Sequence, residues 1–335
     1  GEKKMFQRKT LLIAVVVLSV LLAASALLTV PPDSYTRFMV YIPGGRVEIG
    51  DDIESSRYTA RIDRYLIAPC ETTNREVVAV YNQALAWNLA EIRGSSVWVH
   101  PETGITLQFP LIDTDISGSG IKIQDGRLAV IAGTELLPAC GISWYGAALY
   151  CNYLGSIEGF DEVYDTIDWT PVKNARGYRL PEYEEWEWAA RGGEKSEGYR
   201  YAGSDDPLEA GWFLENSGGT AHPVAQKKPN ELGLYDMSGN VHEFMSEIWD
   251  ALRTMNYKPD ESGFVAGGLL SAGRIWRGGA WNKQPVSVYF FRQNINQPDY
   301  CLPWPDIGFR IVFARPTLAM RIRSFFRPEP ALPPM

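Results

Sequence analysis

Four prolines, Pro285, Pro298, Pro303 and Pro305, fall in the stretch from Arg274 to Arg315. Proline has no backbone N–H and a fixed φ, so long helices and central strands are excluded there. Two compact phrases bound the irregular part: Arg277-Gly278-Gly279-Ala280-Trp281-Asn282 and Ile307-Gly308-Phe309-Arg310. Between them Trp281, Tyr289, Phe290, Phe291, Tyr300 and Trp304 supply aromatic surface, and Asn282, Gln284, Asn294, Asn296 and Gln297 supply amides. Adaptable binding loops draw on the same residue types. The stretch reads as an irregular surface held between two ordered ends, although an aromatic core crossed by loops would have a similar composition.

The chain has 335 residues, enough for one large or two ordinary domains, and its 45% hydrophobic content supplies a core. A net charge of -8 excludes a nucleic-acid partner gripped through its phosphates, which requires a basic face. Lys3, Lys4, Arg8 and Lys9 precede an apolar or small-residue run from Leu11 to Val30. That run is long enough to span a bilayer, and Ala24-Ser25-Ala26 also suits a signal cleavage site, so residues 1–33 read as a cleaved signal peptide or a retained membrane anchor. Either way, the basic flank places the rest of the chain outside the cytoplasm, at the cell surface or in the periplasm. Export permits disulfides among Cys70, Cys140, Cys151 and Cys301, but spacing selects no pairing, and buried free thiols are the alternative. With His100, His222 and His242 far apart and no close cysteine pair, the pattern gives no zinc motif.

The folded domain is expected over 37–315. Phe38–Gly45, Arg46–Gly50 and Tyr65–Ala68 read as short strands. Thr73-Asn74-Arg75-Glu76 is a capping box that opens a first helix. Residues 89–136 read as an insertion of turns and short strands, such as Val97–Val99 and Leu128–Ile131. A second helix is predicted from Ser143 to Gly155 and a third from Pro181 to Gly192-Gly193. Glu182, Glu184 and Glu185 at the start of the third helix read as a charged helix start complementing the dipole, rather than as acid/base groups. Short strands and long loops follow Trp212, and 316–335 reads as a peripheral tail.

Three phrases in order are specific. They are Tyr178-Arg179-Leu180-Pro181-Glu182-Tyr183-Glu184-Glu185-Trp186-Glu187-Trp188-Ala189-Ala190-Arg191-Gly192-Gly193, then Asn230-Glu231-Leu232-Gly233-Leu234-Tyr235-Asp236-Met237-Ser238-Gly239-Asn240-Val241-His242-Glu243-Phe244, then Arg277-Gly278-Gly279-Ala280-Trp281 with Gly308-Phe309-Arg310. Together they make the chain resemble the formylglycine-generating enzyme, or sulfatase-modifying factor, family over roughly Phe38 to Ala314. The resemblance implies one α+β domain with little regular secondary structure, related to the C-type lectin fold. Catalytic members hold copper(I) through two cysteines shortly after the Arg-Gly-Gly phrase, as soft thiolates suit that ion. The matching positions here are approximately Lys283 and Val288, and no cysteine lies from Trp281 to Tyr300, so no copper is expected. The resemblance also implies a structural calcium site, with side-chain oxygens from Asp236 and Glu243 and carbonyls from Gly239 and Val241, hard donors of the kind calcium takes. A turn whose acids are solvated is the alternative.

Two functions follow. The frame resembles that of the variable proteins of diversity-generating retroelements, which implies a non-catalytic binder of a protein or glycan. Its ligand-binding residues would be Trp281, Asn282, Lys283, Gln284, Ser287, Tyr289, Phe291, Gln293, Asn294, Asn296, Asp299, Tyr300 and Trp304. The alternative is a divergent oxidoreductase of the sulfatase-modifying type built on His242, Glu243 and Cys301.

Overall fold

In the computed structural model the described residues are 38–49, 58–248, 274–285, 294–295, 302–318 and 320. The signal or anchor segment, most of the tail, and Ser287, Val288, Tyr289, Phe291, Gln293, Asn296, Asp299, Tyr300 and Cys301 lie outside them.

Strands β1 (Val40–Ile42), β2 (Gly45–Ile49), β3 (Tyr58–Ile62) and β4 (Tyr65–Ile67) open the domain. Helix α1 (Asn74–Ala86) carries the capping box the sequence predicts: the Thr73 hydroxyl accepts from the Glu76 N–H, and the Glu76 carboxylate accepts from the Thr73 N–H. The 89–136 region forms β5 (Ala90–Arg93), β6 (Ser96–Val99), β7 (Ile112–Asp113), β8 (Ile121–Gln124) and β9 (Arg127–Val130). Helix α2 (Trp144–Glu158) starts at the Ser143 cap but runs past Gly155 to a left-handed Gly159. Gly155 is kept inside the helix by packing: a Cβ there would lie 3.1 Å from the Asp161 carbonyl. After β10 (Tyr178–Arg179) come α3 (Tyr183–Ala190), the one-turn α4 (Pro207–Ala210), β11 (His242–Ile248), β12 (Arg274–Arg277), β13 (Asn294–Ile295), β14 (Ile307–Gly308) and β15 (Val312–Ala314).

Two four-stranded sheets set the frame, ordered β1-β4-β15-β10 and β13-β12-β11-β14. In the first, Val312 pairs with Ile67, so the end of the domain is zipped to its beginning. In the second, β12 is antiparallel to β11, pairing Glu243 with Arg277, and β14 is parallel to β11, pairing Glu243 with Gly308. The two phrases that bound the irregular stretch are therefore neighbours on either side of one strand. The main core packs α1 and α2 against the sheets through Val77, Tyr81, Trp144, Tyr150, Phe244 and Phe309. A second core holds Trp186, Ala189, Met237 and Met245 between α3 and β11.

Charge is buried between these layers. The Arg310 guanidinium donates to both Glu243 oxygens at 2.6 Å, and both side chains are fully buried. It also donates to the carbonyls of Tyr235 and Ala68, while the Trp186 indole donates to Glu243 at 2.7 Å. Arg277 donates to Glu187 and to the Tyr183 hydroxyl, and Arg191 closes on the other Glu187 oxygen. Arg179 holds Glu185 through two 2.7 Å bonds. The acidic start of α3 is thus only partly solvated: Glu185 and Glu187 point inward as ion-pair partners, because arginines from β10 and β12 meet them there.

Beside this network lie Glu71 and Asp236, both buried. With both ionised, Glu71 Oε1 and Oε2 and Asp236 Oδ1 have no hydrogen-bond donor. One retained proton lets Glu71 donate to Asp236. Burial, reinforced by the neighbouring carboxylates, raises Glu71 well above the usual range and pushes Asp236 up to about 6. Cys70, Cys140 and Cys151 are buried free thiols, so none of these three bridges another.

Arg310→Met should cost roughly 3–5 kcal/mol, because it strands a buried carboxylate, and Glu243→Gln in the same chain should recover part of that loss. Denaturant midpoints of the two single variants and the double variant measure this; additive losses would contradict it. A second prediction concerns Asp236, whose folded pKa lies above its unfolded one. Its contribution is full below about 4 and is lost as pH rises through about 6. Asp236 has a φ of 56°, which Asn also tolerates. Asp236→Asn should therefore gain stability relative to the unmodified chain as pH rises over that window, by up to about 3 kcal/mol. A pH-independent difference in midpoint would contradict the shift.

Candidate functional site

The described part of the irregular stretch begins at Gly278 and Gly279, both at positive φ, 93° and 79°. A side chain at either position would be strained, so the turn out of β12 depends on glycine. From this turn the backbone is fastened to the loop ahead of β11. Gly239 N–H donates to the Gly278 carbonyl at 2.7 Å, and Trp281 N–H donates to the Asn240 carbonyl at 2.7 Å. Asn240 in turn takes the His222 N–H on its side-chain oxygen and gives its own N–H to the His222 carbonyl. Ser217 Oγ donates to the Trp281 carbonyl, and Leu214 N–H donates to that of Lys283.

Asp306, just before β14, ties the two ends of the stretch together. One of its oxygens accepts from the Asn282 amide at 2.9 Å and faces Lys283 Nζ at 3.2 Å. Its carbonyl accepts the His242 N–H. His242 is buried, and its Nδ1 has no hydrogen-bond partner among the described residues. Burial lowers its pKa to about 4; the Lys283 charge adds to that and Asp306 opposes it. At neutral pH this imidazole is uncharged. Around this anchor Trp281, Asn282 and Lys283 are half-buried, while Gln284 and Trp304 are exposed.

A flanking shelf is formed by Trp212 and His222, stacked with ring centres 3.7 Å apart, with Lys227 Nζ 3.9 Å above the indole.

The structure brings together five of the sequence-predicted binding residues: Trp281, Asn282, Lys283 and Gln284 at one end of the stretch and Trp304 at the other. Asn294 is placed only by its backbone, in β13 beside Trp276. The remaining seven lie outside the described residues. Asp306 and the Trp212–His222–Lys227 shelf are not among the predicted residues. Asp306 adjoins the Ile-Gly-Phe-Arg phrase, and that position was the one available signal. The shelf residues come from sequence-distant loops, and no spacing marks them.

The expected calcium ligands sit in one loop and the start of β11. Asp236 Oδ2 accepts the Ala225 N–H at 2.7 Å. Gly239, at φ 82°, is confined because a Cβ there would lie 2.5 Å from the Trp212 carbonyl. Val241 is buried. Glu243 does not fit the expected role: its oxygens are held by the Arg310 guanidinium and the Trp186 indole, so a calcium ion would have to displace a buried cation. Nor do the residues fit copper(I). Lys283 places an ammonium, held by Asp306, where a thiolate would be needed. Among the described residues no cluster of three or more His, Cys, Asp or Glu side chains is arranged to hold a metal. The same set contains no helix long and apolar enough to cross a membrane.

The model of the "Sulfatase-modifying factor enzyme 1-like domain" matches residues 26–315. A chaperone protein LppX from Paenibacillus barcinonensis is 38% identical over 147 residues, 34% of this chain and 52% of that protein. The formylglycine-generating enzyme of Streptomyces coelicolor is 27% identical over 281 residues, covering 73% of this chain and 79% of the enzyme. The chain thus spans about half the length of the Paenibacillus relative, and it spans 25% of the Chlamydia trachomatis serine/threonine-protein kinase Pkn1, which it matches at 28% identity over 55% of its own length. Among solved structures, Treponema denticola variable protein 1 superposes with a TM-score of 0.56 at 24% identity, covering 83% of this chain and 95% of that one. CarF superposes at 0.58, with 24% identity, covering 82% and 97%. These likenesses show the fold. With its α+β architecture and the family model matched over most of its length, the chain belongs to the sulfatase-modifying factor enzyme 1-like domain family.

Proposed function

We propose that this chain is an exported, non-catalytic ligand-binding protein whose binding surface is the stretch between Trp281 and Ile307. The observation that carries this reading is the geometry around Asp306. A rigid double anchor holds both ends of the stretch, and the half-buried and exposed side chains it presents are an indole, two amides, an ammonium and a second indole. Such groups give large contact area and adaptable hydrogen bonding at low ordering cost, which suits a protein or glycan ligand. The fold likeness to a variable protein supports the idea that this surface changes while its frame stays fixed.

An oxidoreductase reading takes support from the likeness to formylglycine-generating enzymes. Against it stand Lys283 at the first thiolate position and the engagement of Glu243 by Arg310. His242 is the remaining acid/base candidate, and no described nucleophile is bonded to its free nitrogen.

Amplicon sequencing of the codons for Arg277 to Arg310, in a population grown from one cell, tests the diversified form of this reading. Substitutions should crowd at the loop positions and leave Arg277-Gly278-Gly279 and Gly308-Phe309-Arg310 unchanged. Substitutions spread evenly over frame and loop would contradict it. A uniform population would limit the reading to a fixed binder, and tight copper(I) binding by the purified chain would overturn the non-catalytic assignment.

A further inference from the structure

On different sheets from those that frame the loop surface lies a basic cleft that the ligand-binding reading does not use. It is open, holds about 1080 Å³, and is lined by Arg46, Arg61, Arg64 and Arg315, with Asp63 and Tyr41. The four arginines are exposed. Asp63 is the one acid among its lining residues, and no ion pair to any of these arginines occurs among the described residues.

The chain folds so as to crowd these charges. In the β2–β3 hairpin Arg46 is the direct cross-strand partner of Arg61, so both side chains leave the same face side by side. Like charges directly opposed across a pair destabilise it. The second pair repeats the pattern: Ala314 is the partner of Tyr65, and Arg315 follows the one while Arg64 precedes the other. Arg315 takes a left-handed φ of 56°, an uncommon conformation for a non-glycine residue. In a chain of net charge -8, this local excess of positive charge calls for an anionic occupant.

Chain geometry selects the occupant. Tyr41, on the cleft wall, lies in β1, and Val30, the last residue of the apolar run, is only eleven residues before it. Eleven extended residues reach at most about 40 Å. If the run from Leu11 to Val30 is seated in a bilayer, as the sequence reading holds, the cleft is tethered within that distance of the lipid headgroups. On the other side Pro316 lines the cleft, and Arg321, Arg323 and Arg327 follow it in sequence. We propose that the Arg46–Arg61–Arg64–Arg315 cleft docks the domain onto anionic phospholipid headgroups, fixing which face of the domain meets the membrane and leaving the Trp281–Trp304 surface to face a ligand. This inference rests on the membrane reading of residues 11–30 and is independent of whether the loop surface varies.

The test uses the full chain reconstituted into vesicles of phosphatidylcholine alone or mixed equally with phosphatidylglycerol. Amide hydrogen exchange is read in the hairpin, Gly45–Ile49 and Tyr58–Ile62. Exchange should slow by about tenfold in the anionic vesicles. Roughly 0.5 M salt should abolish the slowing, since exposed charges are screened at that ionic strength. The double variant Arg46→Ser with Arg61→Ser should also lack it while keeping or raising the thermal midpoint. Equal exchange in both vesicles would overturn the proposal. So would equal protection by inorganic phosphate added to phosphatidylcholine vesicles, which would assign the cleft to a small soluble anion. A chain that does not float with either vesicle would overturn the membrane premise itself. Should the double variant lose its fold, the salt arm still decides: protection that survives salt contradicts headgroup docking.

Discussion

The ion pair between Glu243 and Arg310 is the interaction on which the rest of this domain depends. Both groups are fully buried, so neither can exchange its partner for water. Its value is positional. Arg310 comes from the strand-ending phrase near the C-terminal end of the domain, Glu243 from β11, and the Trp186 indole that completes the carboxylate from α3. Arg277, from the opposite border of the irregular stretch, reaches the neighbouring acid Glu187 on the same helix. One short helix thus receives the Arg277 end of a stretch too rich in proline to organise itself, through Glu187, and braces the Arg310 end through the Trp186 bond to Glu243. The buried pairs need this arrangement to have their hydrogen bonds satisfied, and so they specify it.

This architecture separates stability from surface. The side chains that hold the frame point inward, whereas Gln284 and Trp304 point out and Trp281, Asn282 and Lys283 are only half covered. Asp306 sits at the boundary, buried itself yet bonded to two loop side chains. A loop fastened by its backbone, through Trp281 N–H, the Trp281 carbonyl and the Lys283 carbonyl, tolerates side-chain change because those bonds do not depend on side-chain identity. The basic cleft at the β2–β3 hairpin belongs to a different sheet, so the two surfaces are separate features of the molecule.

Much of the fold was legible in the sequence because it is written in local chemistry. Thr73 with Glu76, and Ser143, announce their helices through side chains that satisfy nearby backbone N–H groups. Gly155 misled the prediction of where α2 ends. It looks like a stop, yet it serves close packing against Asp161, and tertiary contact outweighed local preference. Glu185, with Glu182 and Glu184, was read as a charged helix start for a related reason: nothing local reveals that Arg179 will arrive to bury it. The ordered ends of the irregular stretch were legible from its two bordering phrases. Asp306 and the shelf of Trp212, His222 and Lys227 were not, because they are assembled by topology from positions with no shared spacing.

The central claim is that buried arginine–carboxylate pairs carry the frame while the loop between its ends is free to change. Saturation mutagenesis across Glu185–Asp306, with folded variants recovered by protease resistance, tests it most directly. The account predicts broad tolerance at Trp281, Gln284 and Trp304, with losses within about 0.5 kcal/mol each, and intermediate losses of about 1 kcal/mol at Asn282 and Lys283, whose side chains engage the buried Asp306. It predicts near-complete intolerance at Glu187, Glu243 and Arg277. Loop substitutions as damaging as those at the frame would contradict it, and would make the stretch part of the core rather than a surface built on it.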